Sequence, residues 1–325
     1  MRKLVSLLVL CAVMPCFADA RIDAAIENVR ATCGGISDEL SDMKKMAGIN
    51  TAVTGVATVA GGVALGTGIA KTGVDKEAEE IENLLNRLKE LEKAQVVDVP
   101  VKLVFEGPVQ GGHSVAREIA FVGKKNSDEK QQLEKELEEK TKKSKTLGDV
   151  RTGTMAAAAV ANVAGAVISS NNRVKGDLKN QIEQCISAVH ELSGARMQAH
   201  VSKTVTEPEM AYIDEVISAC SEWESIRDID SINNKSTGAT VSSGVGAGLG
   251  LVGTITSAIA NSDSVRDDNS DSGKKKEKNL NTASNVLAGG TTVASGVATV
   301  FNATQIKVIK RAATVADACE GVLRK

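Results

Sequence analysis

Four stretches of the sequence carry apolar residues at every third or fourth position, and each of these stripes includes one cysteine. The stripes are Ile22, Ile26, Val29, Cys33, Ile36, Leu40, Met43; Leu178, Ile182, Cys185, Val189, Leu192; Ile213, Val216, Cys220, Trp223; and Val308, Ala312, Val315, Cys319, Val322. This spacing places the apolar residues on one face of an α-helix. We therefore expect four helices whose cysteines point inward.

Between the cysteine helices lie four runs without a single Asp, Glu, Lys or Arg, in a chain that is 25% charged. These uncharged runs are 47–70, 152–172, 236–262 and 279–306. The order cysteine helix, uncharged run, charged connector, uncharged run, cysteine helix occurs twice, which indicates an internal duplication. We predict an all-α fold in which two duplicated helical hairpins, 21–203 and 204–325, form an up-down-up-down four-helix arrangement.

The two connectors differ. The connector of the second hairpin is a short polar segment, whereas that of the first hairpin, 71–151, carries leucine stripes among many charges. Such stripes predict an antiparallel coiled-coil extension, which we call the arm. At its tip, 96–122, two β-branched, alternating segments flank Gly-Pro-Val-Gln-Gly-Gly, a pattern typical of a small β-hairpin. Thr206 followed by Glu209 predicts a capping box where the second hairpin begins.

The first twenty residues have the pattern of a secretory signal peptide. Arg2 and Lys3 precede an apolar stretch, and Ala18 and Ala20 occupy the small-residue positions of a cleavage site. We therefore predict cleavage after Ala20 and an exported protein of a bacterial cell envelope, in the membrane or the periplasm.

Four cysteines remain after removal of this segment: Cys33, Cys185, Cys220 and Cys319. An even number in an exported chain predicts two disulfides. Pairing Cys33–Cys185 with Cys220–Cys319 is favoured if the ancestral hairpin carried its own bridge, and Cys185–Cys220 with Cys33–Cys319 stays open. The diagonal pairing is disfavoured because diagonal helices of a bundle are farther apart than neighbours.

Three interpretations of the uncharged runs compete. Their length fits a membrane span of about 20 residues. Small residues four apart favour close helix packing in a membrane, and those singled out are Gly62, Gly66, Ala161, Gly165, Gly246 and Gly250. In a soluble bundle, Ile49, Val53 and Val56 would instead face the core while Asn50 and Thr54 face water. The third possibility is burial between subunits of a soluble oligomer. The membrane interpretation is favoured because no charge occurs on any side of the four runs.

The composition and the motifs argue against nucleic-acid binding and against enzymatic activity. Aromatic residues make up 2% of the chain and the net charge is −2, so neither stacking platforms nor a basic patch predict nucleic-acid binding. There is no CxxC pair, no phosphate-binding loop and no nucleophile motif, so we expect no enzyme, no cofactor, no metal and no small-molecule substrate.

We predict a membrane-associated protein with a structural or pore-like role. Its expected partners are membrane lipid or further copies of itself, with a protein partner possible at the arm. The alternative is a soluble periplasmic or secreted helical bundle that acts as an interaction or structural module.

Overall fold

A computed structural model of the protein describes residues 20–93, 102–107, 115–120, 126–203, 205–226, 229–266 and 270–325. The segment predicted as a signal peptide, 1–20, lies outside the described residues except for Ala20.

Long helices account for nearly all of the described chain, which confirms the all-α class. A first helix, α1, covers 20–33, and the remaining helices follow in chain order. They are α2 (Ile36–Lys93), α3 (Asn126–Asn171), α4 (Gly176–Ser202), α5 (Glu207–Ser221), a single 3₁₀ turn (Glu222–Ser225), α6 (Ile229–Ala260), the short α7 (Asp263–Arg266) and α8 (Asp271–Leu323). The helices α2, α3 and α8 are 58, 46 and 53 residues long, and each contains a whole uncharged run or nearly all of one.

Two short strands lie between α2 and α3. Strand β1 (Lys102–Gly107) pairs antiparallel with β2 (Val115–Ala120), and the register places Lys102 opposite Ala120. The rest of the segment predicted as a hairpin tip, 96–122, lies outside the described residues.

The chain divides into two compact units, each assembled from separate segments of the sequence. Among the described residues, unit 1 contains those within 20–59, 157–249 and 290–325, and unit 2 contains those within 60–156 and 250–289. Each unit draws on both predicted hairpins, because the long helices run through both units. The division into hairpins 21–203 and 204–325 rests on the duplicated sequence pattern and stays a prediction.

The core of unit 1 is an aliphatic cluster built around the cysteines. Trp223, Ile36, Leu178 and Ile213 are among its largest fully buried side chains. The structure joins Cys33 to Cys185 and Cys220 to Cys319, with Cα–Cα distances of 4.8 and 4.7 Å. This is the pairing in which each predicted hairpin closes on itself.

The start of α5 has the predicted capping box. The backbone N–H and the hydroxyl of Thr206 both donate to Glu209 Oε2, at 2.9 and 2.7 Å. The hydroxyl hydrogen bond, followed by the backbone one, lowers the pKa of Glu209. Both bonds favour the carboxylate form, so they stabilise the start of the helix at neutral pH.

In unit 2, α2 and α3 pack against each other through leucines. Ile81, Leu85 and Leu88 of α2 form a buried cluster with Leu133 of α3, and Leu137 packs against it. Polar contacts also join the two helices. Lys140 of α3 forms an ion pair with Glu77 of α2. Ile81, Leu88, Leu133 and Leu137 belong to the stripes that predicted the arm, so this part of the stripes does make contact, while the description of the arm as a coiled coil stays a prediction.

We predict that non-reducing peptide mapping of the native protein recovers the two peptide pairs Cys33–Cys185 and Cys220–Cys319. Because each bridge closes a loop of about a hundred residues or more, replacing both cysteines of one pair with alanine should lower the free energy of unfolding by about 2–5 kcal/mol. Denaturant titration measures this change. Recovery of Cys185–Cys220 would contradict the assignment, as would alkylation of native, unreduced protein.

Candidate functional site

Buried positions recur along the four long helices with an unbroken alternation of three- and four-residue steps. This alternation continues through the uncharged runs, where most of the buried residues are small or polar. The buried positions that follow this alternation are Ala47, Asn50, Thr54, Ala57, Gly61, Ala64, Gly68 and Lys71 on α2; Gly148, Arg151, Met155, Ala158, Asn162, Gly165 and Ser169 on α3; Ser236, Ala239, Ser243, Gly246, Gly250, Gly253, Ser257 and Ala260 on α6; and Asn281, Ser284, Ala288, Thr291, Ser295, Ala298, Asn302 and Gln305 on α8. Steps of three and four are the heptad rhythm of helices that pack side by side.

We call these positions the polar seam, because nearly all of them are glycine, alanine or a small polar residue. Asn50 and Thr54 are completely buried, whereas Val56 on the same helix is 61% exposed. In a soluble bundle the opposite is expected, with valine inside and asparagine in water. The assignment of Val56 to a core face, made for the soluble interpretation, is therefore wrong.

The outward-facing residues of the same helices are exclusively apolar. Within 48–70, 153–169, 238–260 and 283–306, every exposed residue is Gly, Ala, Val, Leu or Ile. We call these four segments the apolar belt. Val59, Val160, Val286 and Val293 are exposed to between 68% and 70%. The belt and the seam together give each helix an inverted amphipathicity, with an apolar outside and a polar inside.

Threonines at the edges of the belt hide their hydroxyl groups. Thr58 donates to the carbonyl of Thr54, Thr256 to that of Val252, and Thr304 to that of Val300, at 2.8–2.9 Å. Each bond returns to the preceding turn of the same helix, so the hydroxyl needs no water. The polar atoms nearest the belt surface are therefore satisfied within their own helix.

In unit 1, asparagine side chains connect three helices across the seam. Asn50 Nδ2 of α2 donates to Ser169 Oγ of α3 at 2.5 Å and to Asn302 Oδ1 of α8 at 2.9 Å. Asn302 Nδ2 donates in turn to Thr54 Oγ1 at 3.3 Å. The amide groups thus bind each other rather than water, and they tie the helices in one register.

A second contact of the same kind joins Asn162 of α3 to Ser295 of α8. The amide nitrogen of Asn162 lies 2.8 Å from Ser295 Oγ, and its oxygen lies 3.1 Å from the same atom. Gly246 of α6 is buried beside this pair, and a Cβ there would lie 2.8 Å from the amide nitrogen of Asn162. The glycine provides the space that the asparagine occupies.

The six small residues singled out in the sequence fall into two groups. Gly165, Gly246 and Gly250 are buried in the seam, and Ala161 is half-buried beside it. Gly62 and Gly66 lie on the outer face of α2, and no atom of the described chain lies within 4 Å of the position of a Cβ at either residue. The glycines of the seam admit side chains of other helices, while those of the outer face leave the belt surface smooth.

Unit 2 buries a lysine in its part of the seam. Lys71 is inaccessible to solvent, and its Nζ lies 2.7 Å from Asp75 Oδ2 and 3.2 Å from Glu277 Oε1. Ser144 of α3 donates a hydrogen bond to the other carboxylate oxygen of Asp75. Because a buried ammonium group is costly without a counter-charge, these two carboxylates are what makes the position tolerable.

Arg151 of α3 is also completely buried, but its three hydrogen-bond partners are neutral. Its Nε donates to Ser257 Oγ at 3.0 Å, Nη1 to Asn285 Oδ1 at 3.1 Å and Nη2 to Asn281 Oδ1 at 2.8 Å. The planar guanidinium thereby joins α3 to α6 and α8. A lysine has no such fork of donors.

At the cysteine end, ion pairs lie on the surface of unit 1. Arg196 binds Asp214 through two hydrogen bonds of 2.5 and 2.9 Å, and the bond to Arg196 lowers the pKa of Asp214. A hydrogen bond to Asp230 raises the pKa of Lys179. These pairs are solvent-exposed, so they orient helices α4, α5 and α6 at the surface without a large contribution to stability.

The two disulfides lie side by side. The Sγ atoms of Cys33, Cys185 and Cys319 all lie within 4.8 Å of one another, and all three residues are buried. Sulfurs that are joined in disulfides are not thiolates, so this closeness reflects the packing of two bridges rather than a metal centre.

Four helices are long and apolar enough to cross a membrane, by length and composition. Their most apolar 18-residue windows have mean hydropathies of 1.6, 1.4, 1.4 and 1.3, and they lie within Ala20–Glu90, Asp128–Asn171, Ile229–Ala260 and Asp271–Leu323.

No family model matches the chain, and comparisons with curated proteins and with solved structures give no significant match.

Sequence reasoning located the uncharged runs but missed the seam, including the buried Lys71 and Arg151. The signal was present in another form: Asn50, Thr54, Ala57 and Gly61 keep the three-four rhythm with small residues. Apolar periodicity alone highlights the valines, which lie on the opposite face.

We predict that Arg151→Lys lowers the free energy of unfolding by about 1–3 kcal/mol, because a point charge leaves Asn281 or Asn285 without its partner. Arg173→Lys is the matched control, since Arg173 is exposed, and it should change stability little. Thermal or detergent-induced unfolding followed by circular dichroism measures both. Equal stability of the two variants would show that the guanidinium fork contributes nothing.

Proposed function

We propose that this chain is a non-enzymatic integral membrane protein with a structural or pore-like role. Four Gly/Ala-rich spans in up-down-up-down order would carry the apolar belt through the bilayer. The inverted amphipathicity of the uncharged runs carries this proposal: valine, isoleucine and leucine point outward, while asparagine and serine point inward.

The dimensions of the belt support a membrane span. Its segments contain 17 to 24 residues, which corresponds to roughly 25–36 Å at 1.5 Å per residue, and the hydrocarbon core is about 30 Å thick. The charged residues of the seam, Lys71 and Arg151, directly flank uncharged runs. The helices thus remain uncharged over the length that a bilayer requires.

Internal satisfaction of polar groups supports the same conclusion. Within a bilayer, backbone and side-chain polar groups must find partners inside the protein. The pair Asn162–Ser295 and the threonine bonds to the preceding turn meet this condition. Small seam residues also allow the close helix approach on which membrane bundles depend.

In water the same surface would be unfavourable. Monomeric soluble proteins rarely expose a contiguous apolar patch larger than about 300–600 Å². Here the outer faces of four long segments carry no polar exposed residue at all. The proposal therefore names lipid as the partner of this surface, with further copies of the chain as the other occupant that its chemistry accepts.

Contacts within each unit support the up-down order. In unit 1, the pairs Cys33–Cys185 and Asn50–Ser169 advance from α1 to α2 while they recede from α4 to α3. In unit 2, Asp75 contacts Ser144 and Glu77 contacts Lys140, so the contacts again advance along α2 while they recede along α3.

We place the disulfides in an oxidising compartment, which fits an exported protein of the cell envelope. The arm would then offer a surface for a protein partner.

The decisive test places a charge in the belt. Val293→Arg replaces a 68% exposed valine of α8. An arginine at the centre of a membrane span costs about 2.5–3.5 kcal/mol on insertion scales. We expect less protein in the carbonate-resistant membrane fraction and lower abundance.

The matched control is Val201→Arg, the same substitution at an 80% exposed valine of α4, outside the belt. It should leave membrane association unchanged. A wild-type chain that is released by carbonate without detergent would contradict the membrane proposal, and so would equal behaviour of the two arginine variants. Either outcome favours the soluble interaction module.

Orientation gives an independent test. If four spans cross the inner membrane, the arm and the cysteine end lie on opposite sides. We predict that Val201→Cys reacts with an impermeant maleimide in cells whose outer membrane has been permeabilised, while Glu129→Cys on the arm side of α3 reacts only after lysis. The native cysteines are bridged and do not compete.

Reaction of both variants without lysis would exclude the four-span topology across the inner membrane. It would place the arm in the compartment of the cysteines, as a soluble bundle requires.

A further inference from the structure

Three of the four bridged sulfurs lie together in the core of unit 1. The Sγ atom of Cys319 lies within 4.8 Å of the Sγ atoms of both Cys33 and Cys185, which form the neighbouring bridge. Cys220, the partner of Cys319, does not belong to this group of described residues. The second bridge therefore has one sulfur that is close to both sulfurs of the first bridge and one that is not.

All four cysteines are buried, so a reductant reaches them only when the structure opens locally. Three of the four lie near helix ends. Cys33 is the last residue of α1, Cys220 is the last but one of α5, and Cys319 lies one turn before α8 ends at Leu323. Because helix ends open at a much lower free energy than the whole fold, a small dithiol can reduce one bridge while the fold and the other bridge persist.

Reduction of one bridge leaves a thiolate beside an intact disulfide. A dithiol converts Cys220–Cys319 into two thiols and is itself oxidised to a disulfide. The Cys319 thiolate can then attack Cys33 or Cys185. A new S–S bond forms, the old one breaks, and its electron pair leaves on the sulfur that was not attacked, which takes up the proton that Cys319 lost. This second step consumes no oxidant and no reductant.

The same products arise if the other bridge is reduced first. A thiolate of Cys33 or Cys185 then attacks Cys319 and releases Cys220 as the leaving thiol. Both routes end with a bridge from Cys319 to Cys33 or to Cys185, which we call a cross-bridge. A cross-bridge to Cys33 is also one half of the alternative pairing that the sequence leaves open.

Burial and proximity act in opposite directions on the rate of this exchange. An aliphatic interior disfavours the thiolate, which is the attacking species. Well-oriented neighbouring groups, however, react as if at a concentration of about 10⁵–10⁸ M, so an adjacent sulfur outcompetes thiols in solution. Once reduced, Cys319 can also rotate about its χ1 torsion between staggered positions. Exchange should therefore take minutes to hours, the timescale of uncatalysed disulfide rearrangement.

We propose that Cys33, Cys185 and Cys319 form a thiol–disulfide exchange site, in which a two-electron reduction by a dithiol leaves one bridge shared among three sulfurs. In the fully oxidised protein each bridge closes one predicted hairpin on itself. After reduction by two electrons, a cross-bridge connects the two hairpins instead. The site lies within unit 1, so it does not depend on what covers the apolar belt.

A matched pair of variants tests which sulfur carries the exchange. Cys220→Ala and Cys319→Ala remove the same bridge from the full-length protein in detergent micelles, so the loss of stability is common to both. After an acid quench, non-reducing peptide mapping of Cys220→Ala should recover a cross-bridge beside Cys33–Cys185. Cys319→Ala should retain Cys33–Cys185 alone, with its thiol on Cys220. We expect exchanged bridges to be about tenfold or more abundant in Cys220→Ala, because such reactions fall off steeply with distance.

Two results with the variants would overturn the proposal: Cys319 as the only thiol of Cys220→Ala, or equal exchange in both proteins. The wild-type protein treated with an equimolar amount of dithiothreitol gives an answer that needs no variant. Cross-bridges should appear over minutes to hours, and faster at higher pH, since the rate follows the fraction of thiolate. Reduction that proceeds without any cross-bridge would also overturn the proposal. If either variant fails to fold, this wild-type measurement decides.

Discussion

The close approach of helices in the uncharged runs is the constraint on which the rest of the structure depends. Where the seam is glycine, alanine or serine, helices come near enough for a short side chain on one to reach its neighbour. Asn50 meets Ser169 and Asn302 only because such small residues surround them. Packing and hydrogen bonding are therefore one requirement here: a bulky seam residue would remove both together.

The interior of the protein is different at the cysteine end. There the seam is aliphatic, Trp223 and Ile36 fill the interior, and disulfides reinforce the contacts. The change from an aliphatic to a polar interior occurs within single helices: on α2 it falls between Leu40 and Asn50. The same three- and four-residue spacing of buried positions thus runs through both interiors. What changes along the helix is the kind of residue on its outer face, and with it the environment that this face suits.

The sequence predicted the helices, the capping box at Thr206 and the inward-facing cysteines, because in each case an apolar or turn signal stood out against polar neighbours. It did not predict the seam. In the uncharged runs the apolar residues are on the outside, so a search for an apolar stripe finds Val56 and overlooks Asn50. The burial of Lys71 and Arg151 was not predicted either, because it depends on partners far away in sequence. The partner is Glu277 for Lys71 and Asn281 for Arg151. No local pattern encodes such pairs.

The position of the two bridges has a consequence for chain integrity. Cys33–Cys185 spans 152 residues and encloses the whole arm, and Cys220–Cys319 spans 99. A protease that cuts within the arm therefore releases nothing, since both fragments stay covalently joined until a reductant opens the bridge. Only between 186 and 219 does a single backbone strand connect the two closed loops. The protein can therefore lose backbone continuity in the arm and remain one molecule.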